Sequence, residues 1–253
     1  MPTRIRPAML RLATLSLFAL ALVGCATVPP SERNPRDPWQ RMNRATFAFD
    51  FGFYKHVVTP VANTYVRVTP QPIRTGVANF VHNLAYPTVV VNALLQGQMR
   101  PFARDLGRLA LNTTVGIGGI FDPATPAGLP REDRDFGQTF GKWGLPAGPY
   151  LVLPLLGPSD VRDGIGLIPA FTVASPTFYG HYTDDTAITY GVGALGALNT
   201  GVELLPLIRL DEQAYDPYSF ARDAYLQQRD FMVKGPKEGG AEEELKQLQQ
   251  EPP

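Results

Sequence analysis

The only cysteine of this 253-residue chain, Cys25, closes an N-terminal stretch that is first cationic and then apolar, and that placement limits what the rest can become. Arg4, Arg6 and Arg11 surround or precede the start of an apolar run from Leu12 to Val23. The run falls short of the ~20 apolar residues that a membrane-spanning helix needs, so residues 1–24 read as a secretory signal to be cleaved and not as an anchor. A lone cysteine also excludes an internal disulfide and any thiolate zinc cage. Stability has to come from packing and from the surface on which the mature chain settles.

Leu22-Val23-Gly24-Cys25 resembles a bacterial lipobox, cut between Gly24 and Cys25 so that the thiol and the new amino terminus become acylated. A free cysteine is more often a small buried hydrophobe, but this one sits where the apolar run ends. Resemblance to sorted lipoproteins adds that Ala26, in place of an aspartate, permits release toward the outer membrane. Loss of three arginines and no acid leaves 20 basic against 23 acidic side chains, a net charge of −3. No basic field remains for nucleic acid. The 25 prolines, about twice the usual share of ~5%, stand beside 24 glycines and predict many short elements with sharp stops.

Residues 25–36 read as a lipidated tether, 37–233 as one mostly α domain, and 234–253 as a mobile tail. Asp37-Pro38 predicts a helix start, with the carboxylate as cap. Behind it Trp39, Met42, Phe49, Phe53 and Val57 form one stripe, Phe47, Phe51, Tyr54 and Val58 a second, and Arg41, Arg44 and Lys55 share the remaining face. Phe47, Phe49, Phe51 and Phe53 also alternate as a strand would, but the start signal and the length favour helix. Such a helix suits a bilayer interface, or else a core with a solvated basic face. Breaks are expected at Thr59-Pro60 and Pro70-Gln71-Pro72. A second amphipathic helix runs from Ile73 to Leu84, Pro87 interrupts it, and Gly97 closes the turn after Leu95.

From Pro101 to about Thr114 the period is helical again, and Arg100, Arg104 and Arg108 recur every four residues. They can cradle phosphate, or form a solvated face with Asp105 as partner. The middle is rich in glycine and proline, with Gly116, Gly118 and Gly119 suited to close approach or positive φ. Leu151, Leu153 and Leu155 make its later part apolar, either as a loop against a membrane or pore or as a short buried strand from Tyr150 to Leu153. Ala187 to Ile208 carries a single charge, Glu203, yet is only weakly hydrophobic. Gly193, Ala197 and Gly201 allow another helix to approach it. Asp216-Pro217 opens a last helix to about Val233.

No catalytic set is legible, and the chain reads as a non-enzyme without cofactor or metal. Gly191-x-Gly193-x-x-Gly196 lacks the preceding strand of a dinucleotide site. His56, His82 and His181 are too scattered to pair on a metal. Ser159 and Ser175 stand in no nucleophile elbow, and no phosphate-binding loop ending in Gly-Lys-Ser/Thr occurs.

The order of motifs resembles the MlaA (VacJ) family of outer-membrane phospholipid-transport lipoproteins. Those motifs are Asp37-Pro38-Trp39 with Met42-Asn43-Arg44, Pro70-Gln71-Pro72 through Asn79-Phe80 and Asn92 to Leu95-Gln96-Gly97, and Leu111-Asn112-Thr113 with Gly116 to Asp122. They continue as Phe136-Gly137-Gln138-Thr139-Phe140-Gly141, Gly148-Pro149-Tyr150 and Gly157-Pro158-Ser159, and finish as Asp216-Pro217-Tyr218 with Arg222, Arg229 and Asp230-Phe231. The resemblance spans residues 37–233 and is thinnest between Thr172 and Arg209. It implies a ring-like helical domain with an amphipathic central channel, seated in the periplasmic leaflet of the outer membrane. It further implies association with trimeric porins and passage of stray outer-leaflet phospholipid to a soluble periplasmic carrier. On that reading Gly116, Gly118, Gly119, Leu151, Leu153 and Leu155 frame the lipid path, with Arg100, Arg104 and Arg108 as phosphate contacts. A porin- or envelope-associated structural lipoprotein without transport would share the anchor and the helices.

Acylation has one possible thiol. Cys25→Ala is therefore expected to leave an unprocessed precursor that takes up no palmitate label, and labelling at the wild-type level would contradict the lipobox reading.

Overall fold

The structure is a computed structural model that describes residues 34–174 and 186–235. The signal, Cys25, most of the tether, Ser175, His181 and the tail after Gly235 lie outside the described residues. Gln40–Phe53 (α1), a π-helical turn at Tyr54–Val58 and Thr59–Val68 (α2) form one unbroken helical run. The helix expectation therefore holds over the strand alternative, but Thr59-Pro60 is not a break. The π turn explains why: Thr59 N–H bonds five residues back to the Tyr54 carbonyl, and the widened turn makes room for the Pro60 ring at the start of α2.

Gln71–Leu95 (α3) likewise runs straight through Pro87, contrary to the expected interruption. One missing hydrogen bond and a ring clash cost about 3 kcal/mol. Packing on both sides offsets it, because Tyr86, Val89 and Val90 are buried against Phe102 and Leu109 of Met99–Thr114 (α4). Gly97, at φ +70, ends α3 as expected. Phe136–Lys142 (α5) follows, capped by Asp135, whose carboxylate accepts from Gln138 N–H at 2.7 Å. Tyr150–Leu153 (β1) pairs antiparallel with Gly157–Asp160 (β2), so the strand reading of this apolar stretch holds. Val161–Ala174 (α6), Thr186–Gln213 (α7) and Pro217–Lys234 (α8) complete the order.

Helix α3 is the hub, touching α4, α5, α6 and α7, while α8 and α1 clasp the hairpin. Glycine sets the closest approaches: a Cβ on Gly137 of α5 would stand 2.2 Å from Asp163 Oδ1 of α6, and one on Gly201 of α7 would stand 3.0 Å from Val58. Of the small residues expected to admit a neighbour to α7, Gly201 does so, whereas Gly193 faces open space among the described residues.

What fills the interior is mainly polar. The largest fully buried side chains are Tyr150, Asn43, Asn92, Thr139, Asp50, Asp105 and Asp160, while Phe49, Val61, Val68, Ile168 and Phe231 are exposed. Asp37 shows how the interior is satisfied. It does not cap α1, whose N-cap is Trp39. Its carboxylate is buried and accepts from Asn43 Nδ2 at 2.8 Å, from the Tyr218 hydroxyl and from Arg222 Nη1 at 3.3 Å. Asn43 also behaves as a strand neighbour to β1, donating to Tyr150 O and accepting from Val152 N–H, each at 3.0 Å. Asn92 of α3 accepts from the Thr139 hydroxyl of α5, and Gln96 Nε2 donates to that same hydroxyl at 2.9 Å.

The basic face of Arg41, Arg44 and Lys55 is exposed, as a solvated face would be, but two of its members are also paired. Arg44 binds Asp216 through two bonds of 3.0 and 2.7 Å, and Lys55 pairs with Glu212 at 2.9 Å, so both tie α1 and its π turn to the C-terminal helices. The first aromatic stripe, by contrast, does face outward at Trp39, Met42, Phe49 and Val57.

Removing Asn43 strands a carboxylate oxygen, a carbonyl and an N–H together. Asn43→Ala is expected to lower unfolding stability by about 3 kcal/mol, read as a shift of the urea midpoint in detergent, since each buried orphan costs roughly 1–3 kcal/mol. An unchanged midpoint would show that β1 does not depend on this bridge.

Candidate functional site

The glycine-rich segment after α4 forms a tight loop latched onto α3. Phe121 N–H bonds to Gly116 O at 2.9 Å, and a Cβ on Gly116 would lie 2.3 Å from Asn112 O. Gly118 and Gly119 hold φ +68 and +92, and Ile117 between Gly116 and Gly118 is also left-handed at +53. Only glycine fits at 119, where a Cβ would stand 2.3 Å from that of Asn83. From α3, Asn79 Nδ2 donates to Ile120 O at 3.3 Å, and Asn83 Nδ2 donates to Gly118 O at 3.2 Å and Thr113 Oγ1 at 3.0 Å. With its carbonyls held inward, the loop turns Val115, Ile117, Ile120 and Phe121 outward, the last at 60% exposure.

Below the loop Arg108 and Asp122 lock α4 to the following segment. Arg108 donates to Thr125 Oγ1, Leu129 O and Asp122 Oδ2, and Asp122 accepts further from Asn112 and Thr125. Burial would raise the Asp122 carboxyl, but the bonds from Thr125, Arg108 and Asn112 overcome it and hold the group down at about 2. Arg104 pairs with Glu132 at 2.8 Å and lies 3.7 Å from Asp105, whose main partners are Tyr86 and Arg134. The period-four arginines thus divide: Arg108 is buried and paired with Asp122, Arg104 is half-buried and paired, and Arg100 is exposed with no ion pair among the described residues.

Two adjoining cavities lie between α3 and this segment. One of about 250 Å³ is lined by Asn79, His82, Asn83, Arg108, Asp122 and Arg131; the other, about 420 Å³, by Pro72, Thr75, Gly76, Ile120 and Phe121, with Asn79 and Asp122 common to both. Gly116, Gly118 and Gly119 line neither cavity but shape the loop that carries Ile120 and Phe121 into the second. Of the lining side chains, Asn79 stood only in a family motif, His82 only among histidines too scattered for a metal, and Asn83 and Arg131 were not named; the one legible signal for the first three is the spacing of 79, 82, 83 and 86 on a single face of α3.

The other expected path residues sit elsewhere. Leu151 and Leu153 are half-buried in β1, and Leu155, at φ +63, tips the hairpin turn. Asp50 accepts from Leu155 N–H at 2.9 Å and the Tyr54 hydroxyl donates to Leu155 O at 2.7 Å, so α1 fixes the turn while Leu155 and Leu156 point out. The glycine loop rests on α3 and the hairpin on α1 and α8, so the two halves are separate features of the fold. Gly191, Gly193 and Gly196 lie inside α7, without the strand that a dinucleotide site needs.

A largely polar interior under many exposed apolar side chains, beside a pair of hollows of which one is polar and the other apolar, fits a membrane-associated helical protein. The family profile described as MlaA lipoprotein matches residues 35–232. The chain belongs to this family of outer-membrane lipoproteins. It is 36% identical over 231 residues to the Escherichia coli K12 intermembrane phospholipid transport system lipoprotein MlaA, covering 89% of this chain and 90% of the relative. The Shigella flexneri protein of that name is 36% identical over 236 residues, with coverage of 89% and 90%. A solved structure, reported as the structural basis for maintenance of bacterial outer membrane lipid asymmetry, superposes with a TM-score of 0.65 at 33% identity, covering 79% of this chain and 100% of its own.

Asp122 gives a pH test of the latch. Its folded value of about 2 lies below the ordinary 3.8, so its contribution is complete above about pH 4 and is lost as pH falls toward 2. Urea midpoints should fall across that window more steeply in the wild type than in Asp122→Asn; parallel curves would show that the carboxylate holds nothing.

Proposed function

We propose that this lipoprotein takes up phospholipid that has strayed into the outer leaflet of the outer membrane and passes it to a soluble periplasmic carrier, so maintaining lipid asymmetry. It sits in the periplasmic leaflet, tethered through Cys25 and residues 26–36, beside a trimeric porin. The observation that carries this reading is the inverted burial: Asn43, Asn92 and Asp105 are fully enclosed while Phe49, Phe121, Trp143, Leu156 and Ile168 are exposed. In water that distribution is unfavourable, at roughly 25 cal/mol per Å² of exposed apolar area; against acyl chains the same surface costs little. A ring-like domain with an amphipathic channel would put lipid on both its outer and its inner walls.

No bond is broken in such transport, so the protein need only offer a path that accommodates both ends of an amphiphile. The glycine loop supports a path, because its carbonyls are tied to Asn79 and Asn83 and its side chains present an apolar rim. The hairpin tip at Leu155 and Leu156 supports lipid contact on the side of α1. The arginines at 100, 104 and 108 contribute differently: Arg100 alone has a guanidinium open to a phosphate, and Arg108 holds the wall.

Deleting the gene is expected to raise outer-leaflet phospholipid, measured by palmitate transfer to surface lipopolysaccharide or by leaflet-selective labelling. The wild-type gene should restore asymmetry and Cys25→Ala should not. A deletion strain with normal asymmetry would overturn transport and favour a porin-associated structural role.

A further inference from the structure

We propose that the cleft between α3 and the segment 120–131 is a head-group site for phosphoglycerides whose head group carries N–H or O–H donors, with Arg131 as the phosphate contact. The proposal rests on the phospholipid-transport reading and assigns that reading its polar subsite. Its first support is the order of surfaces: the polar cavity at His82, Asn83 and Arg131 adjoins the apolar one at Pro72, Ile120 and Phe121, with Asn79 and Asp122 lining both. Neighbouring polar and apolar hollows match one end of a phospholipid and the start of its acyl chains.

The second support is which cation is available. Arg108 lines the same cavity, but three of its five N–H groups are committed to Thr125, Leu129 and Asp122, and the Asp122 carboxylate already offsets its charge. Arg131 is 40% exposed, with Nη2 3.5 Å from the exposed Asp133 carboxylate and Nη1 resting on His82 Nδ1. Because Nδ1 accepts from the guanidinium, Nε2 carries the imidazole proton and donates to Glu203 Oε1 at 2.7 Å, which Asn199 also reaches at 3.1 Å. This chain from α7 through His82 holds Arg131 over the cleft. A planar guanidinium can meet a phosphodiester with two charge-assisted bonds, against the single bond it makes to the His82 ring.

The third support concerns the rest of the head group. Asn79 and Asn83 use their N–H groups on the loop, which fixes their amide orientation and leaves both Oδ1 atoms as acceptors with no donor among the described residues. Acceptors beside an ionised Asp122 favour an ammonium N–H or a glycerol hydroxyl. A trimethylated choline has neither and would leave them unpaired.

The test uses the full-length, lipidated protein in detergent, with short-chain phosphatidylethanolamine, phosphatidylcholine of the same chains and inorganic phosphate as probes. Binding is counted by native mass spectrometry. Phosphatidylethanolamine should bind about tenfold more tightly than phosphatidylcholine, and inorganic phosphate should not displace it at equal concentration. Arg131→Gln should weaken phosphatidylethanolamine about tenfold, Arg131→Lys should recover part of the loss, and the control Arg67→Gln, at an exposed arginine of α2 away from both cavities, should bind as wild type. Equal binding of the two lipids, displacement by inorganic phosphate, or an Arg131→Gln loss no larger than that of Arg67→Gln would each overturn the proposal. Failure here with asymmetry still lost on gene deletion moves the head group elsewhere and leaves transport standing. Binding as expected with normal asymmetry on deletion removes transport and leaves a lipid site.

Discussion

Asp37, enclosed with Asn43, Tyr218 and Arg222, is the interaction on which the arrangement depends. An isolated carboxylate cannot be buried, whereas one that accepts several hydrogen bonds, one of them from a guanidinium, can. Satisfying it brings together the start of α1, the first strand and the last helix, which are far apart in sequence. The same device recurs where Asp135 and Asp163 share Arg229, and where Asp105 collects Tyr86 and Arg134. Specific polar bonds thus define the interior where a soluble protein would use a large apolar core, and this frees the apolar side chains to face lipid. Low dielectric strengthens each bond of such a network and penalises each orphan, and a few remain here, among them Asp50 Oδ2 and the Tyr150 hydroxyl.

That division of labour explains what was legible in the chain. Periodicity located α1, α3 and α4, because an apolar stripe has the same spacing whether it faces a core or acyl chains, while Asp216-Pro217 marked the start of α8 and the strand at Tyr150 stood as one of two readings of an apolar stretch. It could not say which way a stripe faces, and here Trp39, Met42, Phe49 and Val57 face out. The proline rules misplaced two boundaries because they are local. At Pro60 a π turn removed the clash, and at Pro87 contacts from α4 outweighed it. Asp37 had the composition of a helix cap but a long-range role, and Arg44 and Lys55 had the spacing of a solvated face but partners in the C-terminal helices.

Within the cleft, the glycines were readable because positive φ and close approach demand glycine, and Gly118 and Gly119 have both. Asn79, His82, Asn83 and Arg131 were not, since an amide on an amphipathic helix looks the same whether it meets water, a loop carbonyl or a ligand. Two of them are paired with the loop that buries them, and Arg131 reaches His82 across 49 positions of chain. The resemblance to lipid-transport lipoproteins gave the task but not the residues, which depend on contacts that no single helix encodes.

The central claim is that the apolar exterior meets acyl chains. The chain has two tryptophans, Trp39 and Trp143, and both rings are exposed. Trp143 donates its one polar hydrogen to Leu95 O at 3.0 Å, so what it presents outward is apolar. Tryptophan emission of the lipidated protein in vesicles whose acyl chains carry bromine tests this directly, with Trp39→Phe and Trp143→Phe separating the two rings. The account predicts that brominated chains quench both rings while an aqueous quencher such as iodide reaches neither. Emission that ignores the bromines and is quenched by iodide would place these surfaces in water and contradict it.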